Sequence, residues 1–159
     1  MKWGFFNVGM VFAYSKVKGV KRMAKLVLAT HGGLSLGMAD SLKMIIGDLT
    51  NNLEIYSLIA GENPEDYAKK KREEIERTKE THIFVTDILG GSVHTALMQL
   101  TQIEQVFVIS GMNMALVMEL LFALKDDITY QDIMKIIKDA RAAMNCIQLN
   151  YESEIQEDF

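Results

Sequence analysis

Three polar residues follow apolar runs of the sequence at the point where each run ends. His31 comes after the first of these runs, Asp87 after the third and Ser110 after the fourth. A neutral histidine is a usable nucleophile near neutral pH. A carboxylate that accepts a hydrogen bond from one ring nitrogen fixes the tautomer and leaves the lone pair of the other nitrogen facing outward. We therefore predict that His31 accepts a phosphoryl group and that Asp87 orients its ring.

Glycine residues accompany these polar positions. Glycine lets the backbone approach a ligand closely, and free amides at the N-terminus of a helix favour a phosphate-like anion. We therefore expect the two loops beside His31 and Asp87 to hold the phosphoryl oxygens. The residues assigned to this role are Thr30, Gly32, Gly33, Gly90, Gly91 and Ser92.

The order of elements indicates a scaffold that brings these residues together. From Lys25 onwards, short β-rich runs alternate with longer helical patterns. This alternation predicts an α/β domain with an open, mainly parallel sheet of four to five strands and helices on both faces. Functional residues collect beyond the carboxyl ends of the strands in such a sheet, because the loops converge there. The strands are predicted at residues 26–29, 53–59, 83–86 and 106–109, with a fifth, short strand at 146–149.

Capping residues mark the predicted helices. Asn63 with Pro64 begins one helix, and Thr129 with Asp132 resembles a capping box at the start of the last. Gly47 is expected to end the first helix. Charges of both signs three or four residues apart, over residues 69–80, are predicted to form a solvated helix face. The helices are expected at about 36–46, from 64, from 92, from 113 and at 129–144.

Composition limits the class of protein. The chain has 159 residues, 49% of them hydrophobic, which is enough for one domain with its own core. A net charge of −4 without a basic stripe argues against nucleic-acid binding. A single cysteine, Cys146, excludes an intrachain disulfide and a cysteine-based metal cluster, and we expect no metal and no cofactor. We expect a poorly ordered extension at 1–24, the domain at 25–150 and an acidic tail at 151–159.

Three motifs resemble a known family in their order and spacing. They lie at residues 25–37 (KLVLATHGG to Gly37), 84–92 (FVTDILGGS) and 108–113 (VISGMN). Together they resemble the IIA proteins of the mannose/fructose/sorbose phosphotransferase family, and the resemblance covers about residues 25–144. It implies that His31 is the phosphorylated histidine, that Asp87 orients it and that Ser92 is the serine of the Gly-Gly-Ser loop.

The resemblance also implies partners and a location. The donor would be phospho-HPr and the acceptor a IIB subunit, which phosphorylates sugar entering through the IIC and IID membrane subunits. The protein would be cytoplasmic and a homodimer that exchanges a C-terminal strand, for which residues 146–149 are the candidate. No IIB domain follows in the sequence, so we expect IIB to be a separate polypeptide.

This chain departs from the family pattern after the Gly-Gly-Ser motif. Val93, His94 and Thr95 stand where proline, an aromatic residue and asparagine are usual, and Ala115 stands where proline is common. These changes concern the rigidity of the loop and contacts with the donor. They leave His31 and Asp87 in place.

Other functions remain open from the residues alone. Residues 33–37 match the G-x-S-x-G pattern of a hydrolase nucleophile, with Ser35, Asp87 and His94 in the order of a triad, although Ser35 does not directly follow a strand. His94 is also a less favoured phosphoryl acceptor, and His82 is predicted to be structural. Another alternative is the phosphocarrier subunit of a dihydroxyacetone kinase, which has a similar fold and uses a similar histidine. A non-catalytic module whose glycine loops hold a nucleotide or a phosphorylated ligand is the last alternative.

Overall fold

The computed structural model describes residues 24–125 and 127–148. The predicted tail at 151–159 and all but Ala24 of the predicted N-terminal extension lie outside these residues. Ala24 itself, which the prediction placed in the extension, is buried and packs in the core. The strands are β1 (Lys25–His31), β2 (Glu54–Leu58), β3 (His82–Thr86) and β4 (Val106–Ser110). The helices are α1 (Leu34–Ile46), α2 (Pro64–Thr78), α3 (Ser92–Met98), α4 (Met114–Ala123) and α5 (Tyr130–Ala142).

The strands form a parallel sheet in the order β2-β1-β3-β4. The predicted open α/β architecture is confirmed. Each crossover between parallel strands carries at least one helix, as parallel connections require. Because β1 and β3 are central, their loops meet in the middle of the carboxyl edge of the sheet.

Helices cover both faces of the sheet, also as predicted. On β1, Leu26 and Leu28 face a cluster formed with α1, α4 and α5. Val27 and Ala29 face a second cluster formed with α2 and α3. Because both faces are covered, the strand is a continuous apolar run instead of an alternating one.

Local sequence signals set the helix boundaries. The side chain of Asn63 accepts a hydrogen bond from the amide of Glu65 at 3.1 Å, and Thr129 and Asp132 form the predicted capping box. Gly47 ends α1 with φ +57°, a conformation that glycine adopts without strain. The first helix begins two residues earlier than predicted and the last ends two residues earlier, because helix ends depend on local hydrogen bonds that hydrophobic periodicity does not encode.

Within the described residues, the predicted fifth strand is not part of this chain's own sheet, and its expected exchange with a second copy stays a prediction. Residues 144–148 contain no strand, and the side chain of Ile147 is 80% exposed. A strand exists only through pairing with another strand, and within residues 24–125 and 127–148 this segment pairs with none. Leu149, the last residue of that predicted strand, lies outside the described part of the chain.

A partly buried charge cluster lies at the amino edge of the sheet. Lys71 of α2 is only 7% exposed in its side chain and forms ion pairs with Glu54 and Glu74. Glu74 also pairs with Lys25 at 2.7 Å. The prediction of a solvated face is therefore wrong for Lys71, because the helix turns this one lysine towards the start of β2. His82, at the start of β3, is fully buried beside the cluster, in keeping with its predicted structural role.

We expect the free energy of unfolding to fall as the pH drops below neutral. Burial lowers the pKa of His82, so the folded chain keeps this ring neutral while the unfolded chain protonates it below about pH 6.5. Hydrogen bonds from Lys25 and then Lys71 lower the pKa of Glu74 to about 2. The ionised Glu74 carboxylate therefore adds to the free energy of unfolding above pH 4.5, and this contribution is lost as the pH falls towards 2. Urea unfolding at a series of pH values measures the slope, and Glu74→Gln should flatten it below pH 4.5. A stability that does not change with acidification would contradict this expectation.

Candidate functional site

The site lies where the two central strands end. His31 is the last residue of β1, and Asp87 directly follows Thr86, the last residue of β3. These strands are parallel neighbours, with Ala29 opposite Thr86 in the register. The parallel order therefore places His31 and the β3–α3 loop side by side, and the two side chains are in contact.

Asp87 holds His31 through two hydrogen bonds to one oxygen. Nδ1 of the ring lies 2.8 Å from Oδ2 of Asp87, and the backbone N–H of His31 donates to the same oxygen at 2.8 Å. An ionised carboxylate only accepts hydrogen bonds, so Nδ1 is the donor. In the neutral ring this contact assigns the proton to Nδ1 and leaves the lone pair on Nε2.

Asp87 is itself fixed by the backbone. Its Oδ1 accepts the amide of Ile88 at 2.9 Å, and its side chain is 12% exposed. Burial alone would raise the pKa of Asp87, but the hydrogen bonds from the backbone and ring of His31 and from Ile88 outweigh it and lower the pKa below its ordinary value. The carboxylate is therefore ionised at neutral pH and serves as an acceptor for His31.

Nε2 of His31 faces a hydroxyl and solvent. It lies 3.0 Å from Oγ of Ser92, the first residue of α3. With the lone pair on Nε2, the serine hydroxyl is the donor in this contact. The His31 side chain remains 42% exposed, so the ring can be approached from outside the protein.

Gly91 packs directly against the ring. A Cβ at this position would lie 2.8 Å from Cγ2 of Ile88 and 3.0 Å from Cε1 of His31. Both distances are shorter than ordinary carbon contacts. The sequence suggested glycine here for access to a ligand, and the structure adds that a larger residue would crowd the imidazole.

If His31 accepts a phosphoryl group, as the sequence predicts, we expect Gly91→Ala to push its ring out of line and to slow the transfer by about a hundredfold, because small misplacements at a reacting centre carry costs of that order. Rapid-quench measurement of phosphorylation by phospho-HPr tests this expectation. Gly37→Ala is a matched control, since a Cβ there meets nothing within 4 Å and the position is inside α1. Equal rates for the two variants would contradict the steric argument.

Three of the loop amides predicted to bind phosphoryl oxygens already have acceptors. Gly32 donates to the last carbonyl of β2 at 2.9 Å, Gly91 donates to a carbonyl of its own loop at 3.3 Å, and Gly90 donates to a ring nitrogen of His94 at 3.4 Å. Gly32 and Gly90 have φ values of +56° and +77°. These glycines shape the two loops around His31 by adopting a conformation that other residues rarely accept.

The prediction for Thr30 is wrong. Its side chain is fully buried, and Oγ1 accepts the amide of Ser35 at 2.9 Å. Successive side chains of a strand point to opposite faces, so Thr30 points into the α1 side of the sheet although it adjoins His31 in sequence. Gly33 occupies the N-cap position of α1, where its phosphoryl-binding role stays a prediction.

The triad of a serine hydrolase is not assembled. Ser35 is fully buried, and its hydroxyl donates to the carbonyl of Tyr56 at 3.0 Å and contacts Ser57 at 2.7 Å. Asp87 is engaged with His31, not with His94. A nucleophile must be exposed and next to its base, so the structure removes this alternative.

His94 and Ser110 lie close to the site but do not share the geometry of His31. His94 is only 8% exposed, and its Nδ1 accepts the amide of Gly90. A phosphoryl acceptor must be reached by its donor, which favours His31. Ser110 ends β4, one strand farther from β1 than Asp87, opposite Thr86 in the register.

A rim of exposed apolar side chains was missed in the sequence. Ile88 and Leu89 in the β3–α3 loop are 60% and 73% exposed, and Ile59 after β2 and Leu34 at the start of α1 are also exposed. All four lie at the carboxyl edge of the sheet. The available signal was two large apolar residues between Asp87 and a glycine pair, where a loop normally carries polar residues.

Within residues 24–125 and 127–148, no helix is long and apolar enough to span a membrane.

Comparison with known proteins gives consistent matches. The mannose-specific EIIAB component of Escherichia coli K12 is 25% identical over 114 residues, which are 70% of this chain and 35% of that protein. The chain therefore spans about a third of the length of the curated relatives that it matches. The IIA protein associated with the fucose utilization operon of Streptococcus pneumoniae aligns with a TM-score of 0.67 and 25% identity over 80% of this chain and 96% of that one.

A second structure supports the fold. The mannose/sorbose specific IIA subunit of Enterococcus faecalis has a TM-score of 0.68 at 21% identity and covers 81% of this chain and 98% of its own. The family model for EIIA-man, described as the fructose IIA component of the phosphotransferase system, matches residues 25–138. Since this match extends over well more than half of the sequence, the chain belongs to the mannose family of IIA components of the phosphotransferase system.

Proposed function

We propose that this chain is a phosphocarrier that takes a phosphoryl group from phospho-HPr onto His31 and passes it to a IIB domain. The observation that carries the proposal is the state of the His31 ring. Nδ1 is bound to Asp87 and Nε2 faces outward beside Ser92, in a side chain that is 42% exposed. This arrangement supports a nucleophile at Nε2 and an orienting role for Asp87.

The transfer step follows from this geometry. The lone pair of Nε2 attacks the phosphorus atom of the donor, and a new N–P bond forms. The bond between phosphorus and the donor atom breaks, and the donor atom keeps its electron pair. No proton has to leave His31, because Nδ1–H stays hydrogen-bonded to Asp87 throughout. The phosphorylated ring gains positive charge, which the adjacent carboxylate stabilises.

The surroundings of Nε2 also suit the product. The Ser92 hydroxyl, 3.0 Å from Nε2, can turn to donate to a phosphoryl oxygen once the lone pair is used. Helix α1 begins two residues beyond Gly32. The amide of its second residue, Ser35, is bound to Thr30, but the N-terminal end of a helix still favours a negative charge nearby. Both features would stabilise the phosphoryl group without removing it from reach of an acceptor.

The apolar rim supports protein partners, not a small-molecule substrate. Exposed residues such as Ile88 and Leu89 surround an accessible histidine and leave the site open instead of enclosing it. A donor and an acceptor protein can each cover such a surface transiently. The IIC and IID subunits would receive the phosphoryl group only indirectly. We further propose a cytoplasmic location and a homodimer, for which sedimentation at several concentrations is the test.

The experiment is phosphorylation of the intact protein. Incubation with phosphoenolpyruvate, enzyme I and HPr should add the mass of one phosphoryl group, and acid should remove it. Addition of a purified IIB domain should then discharge the protein and phosphorylate IIB. If phospho-HPr forms but this chain gains nothing, the proposal fails and the dihydroxyacetone kinase system becomes the next to assay.

A further inference from the structure

The loop between β3 and α3 is held from the first turn of α3. The amide of Gly90 donates to Nδ1 of His94 at 3.4 Å, and the hydroxyl of Thr95 donates to the carbonyl of Gly90 at 3.4 Å. These contacts fix the two peptide groups on either side of the Gly90 Cα. Since Nδ1 of His94 accepts a hydrogen bond, its neutral ring carries the proton on Nε2.

Gly90 needs such restraint. Its φ of +77° lies in the left-handed region, where glycine is unstrained. Glycine also has the most conformational freedom of any residue, so its backbone can readily change to another conformation. The other end of the loop is anchored at Asp87, whose carboxylate accepts the amides of His31 and Ile88. Beyond Gly90, the Gly91 amide donates to the carbonyl of Ile88 at 3.3 Å and the Thr95 amide donates to the carbonyl of Gly91 at 2.9 Å, so the His94 contact is the one that fixes the Gly90 amide itself.

The restrained segment is the one that touches the reactive ring. Gly91 follows Gly90 and lies so close that an added Cβ would be 3.0 Å from Cε1 of His31. Ser92 comes next, and its Oγ is 3.0 Å from Nε2. The position of the Gly90 peptides therefore sets the surroundings of the nitrogen that attacks phosphorus.

We propose that His94 is a positioning residue for phosphoryl transfer: its buried Nδ1 holds the Gly90 amide and thereby keeps Gly91 and Ser92 against the ring of His31. The proposal rests on the proposed function of His31. It gives His94 a supporting role, in contrast with the earlier alternative that His94 is itself the phosphoryl acceptor. His94 touches neither the donor nor the phosphoryl group and acts through the loop.

Two substitutions at His94 distinguish the effect of its hydrogen-bond acceptor from the effect of its side-chain volume. In His94→Asn, Oδ1 stands near the place of Nδ1 and can accept the Gly90 amide. In His94→Leu, similar bulk remains in the buried position but the acceptor is lost. We expect the leucine variant to be phosphorylated by phospho-HPr roughly tenfold more slowly, a common cost of removing a supporting hydrogen bond. The asparagine variant should stay within about threefold of the wild-type rate, since it keeps the bond that the leucine variant loses.

Leu97→Val is the matched control for general weakening of the helix. Leu97 is buried in α3 and packs in the cluster beneath the sheet, away from the loop. This variant should lose stability without a comparable loss of rate. Equal slowing in Leu97→Val and His94→Leu at matched stability would overturn the positioning role.

A spectroscopic measurement tests the loop independently of transfer. In the wild-type protein and in His94→Asn, the hydrogen of the Gly90 amide should exchange slowly with solvent. The NMR signal of His31 Cε1–H should have the same chemical shift in these two proteins. In His94→Leu, the Gly90 amide should exchange faster and the Cε1–H signal should shift. Unchanged signals in the leucine variant would overturn the inference even if phospho-HPr phosphorylates the protein. Failure of the wild type to be phosphorylated would instead overturn the proposed function, and the amide exchange would still decide whether His94 holds the loop.

Discussion

His31→Asn is expected to abolish phosphorylation by phospho-HPr. Asparagine keeps a polar side chain at an exposed strand end, but its amide nitrogen has no lone pair that can attack phosphorus. The side chain that is replaced is 42% exposed and lies at the end of its strand, so the fold should be retained. Intact-mass measurement after incubation with phosphoenolpyruvate, enzyme I and HPr should find no added group, against one in the wild type.

The same substitution at another histidine provides the control. His82 is fully buried at the opposite edge of the sheet, so His82→Asn should lower the melting temperature and yet leave one phosphoryl group per chain. Phosphorylation of the His31→Asn variant would show that another residue is the acceptor. His94 would then be the first to test, despite its burial.

Asp87→Asn is expected to lower the rate of phosphoryl transfer by on the order of a thousandfold or more, by the precedent of aspartates that fix a histidine tautomer. One oxygen of Asp87 accepts both the ring and the backbone of His31, and the other accepts the amide of Ile88. An asparagine has only one oxygen for these donors. Where its NH₂ faces Nδ1, the ring proton moves to Nε2 and occupies the attacking lone pair.

Comparison with Asp87→Ala distinguishes tautomer control from simple loss of a contact. The alanine variant leaves both tautomers available, whereas the asparagine variant favours the unreactive one. We therefore expect the isosteric Asn variant to be at least as slow as Ala in rapid-quench assays. Nitrogen NMR of His31 should place the proton on Nδ1 in the wild type and on Nε2 in the Asn variant. Phosphoryl transfer at the wild-type rate in Asp87→Asn would contradict the orienting role of Asp87.

The meeting of His31 and Asp87 could be predicted because it depends on topology. Alternating elements indicate a parallel sheet, and a parallel sheet gathers the residues that follow its strands. The alternation of side chains along β1 was also available in principle and would have excluded Thr30 from the site. Adjacency in sequence to His31 was the weaker guide, because neighbours on a strand face opposite ways.

Other features depend on contacts that no local pattern encodes. Lys71 lies in a run of charges that is typical of a solvated surface, and only the packing of α2 on β2 turns it towards Glu54. The contact between Gly90 and His94 requires the positive φ of that glycine. Residues 146–149 have the composition of a strand, but composition does not say whether the edge that it pairs with lies in this chain's own sheet or in a second copy.

The position of the partly buried cluster of Lys25, Glu54, Lys71, Glu74 and His82 has a consequence for how this protein can change. The central strands β1 and β3 run from that cluster to His31 and Asp87, and the seven residues of β1 span about 20 Å. Effects of substitutions separated by more than about 10 Å usually add independently. Resistance to heat or acid can therefore be raised at one end of the sheet while the chemistry at the other end is left as it is. A lineage carrying this fold could adapt to a new habitat without retuning its exchange of phosphoryl groups.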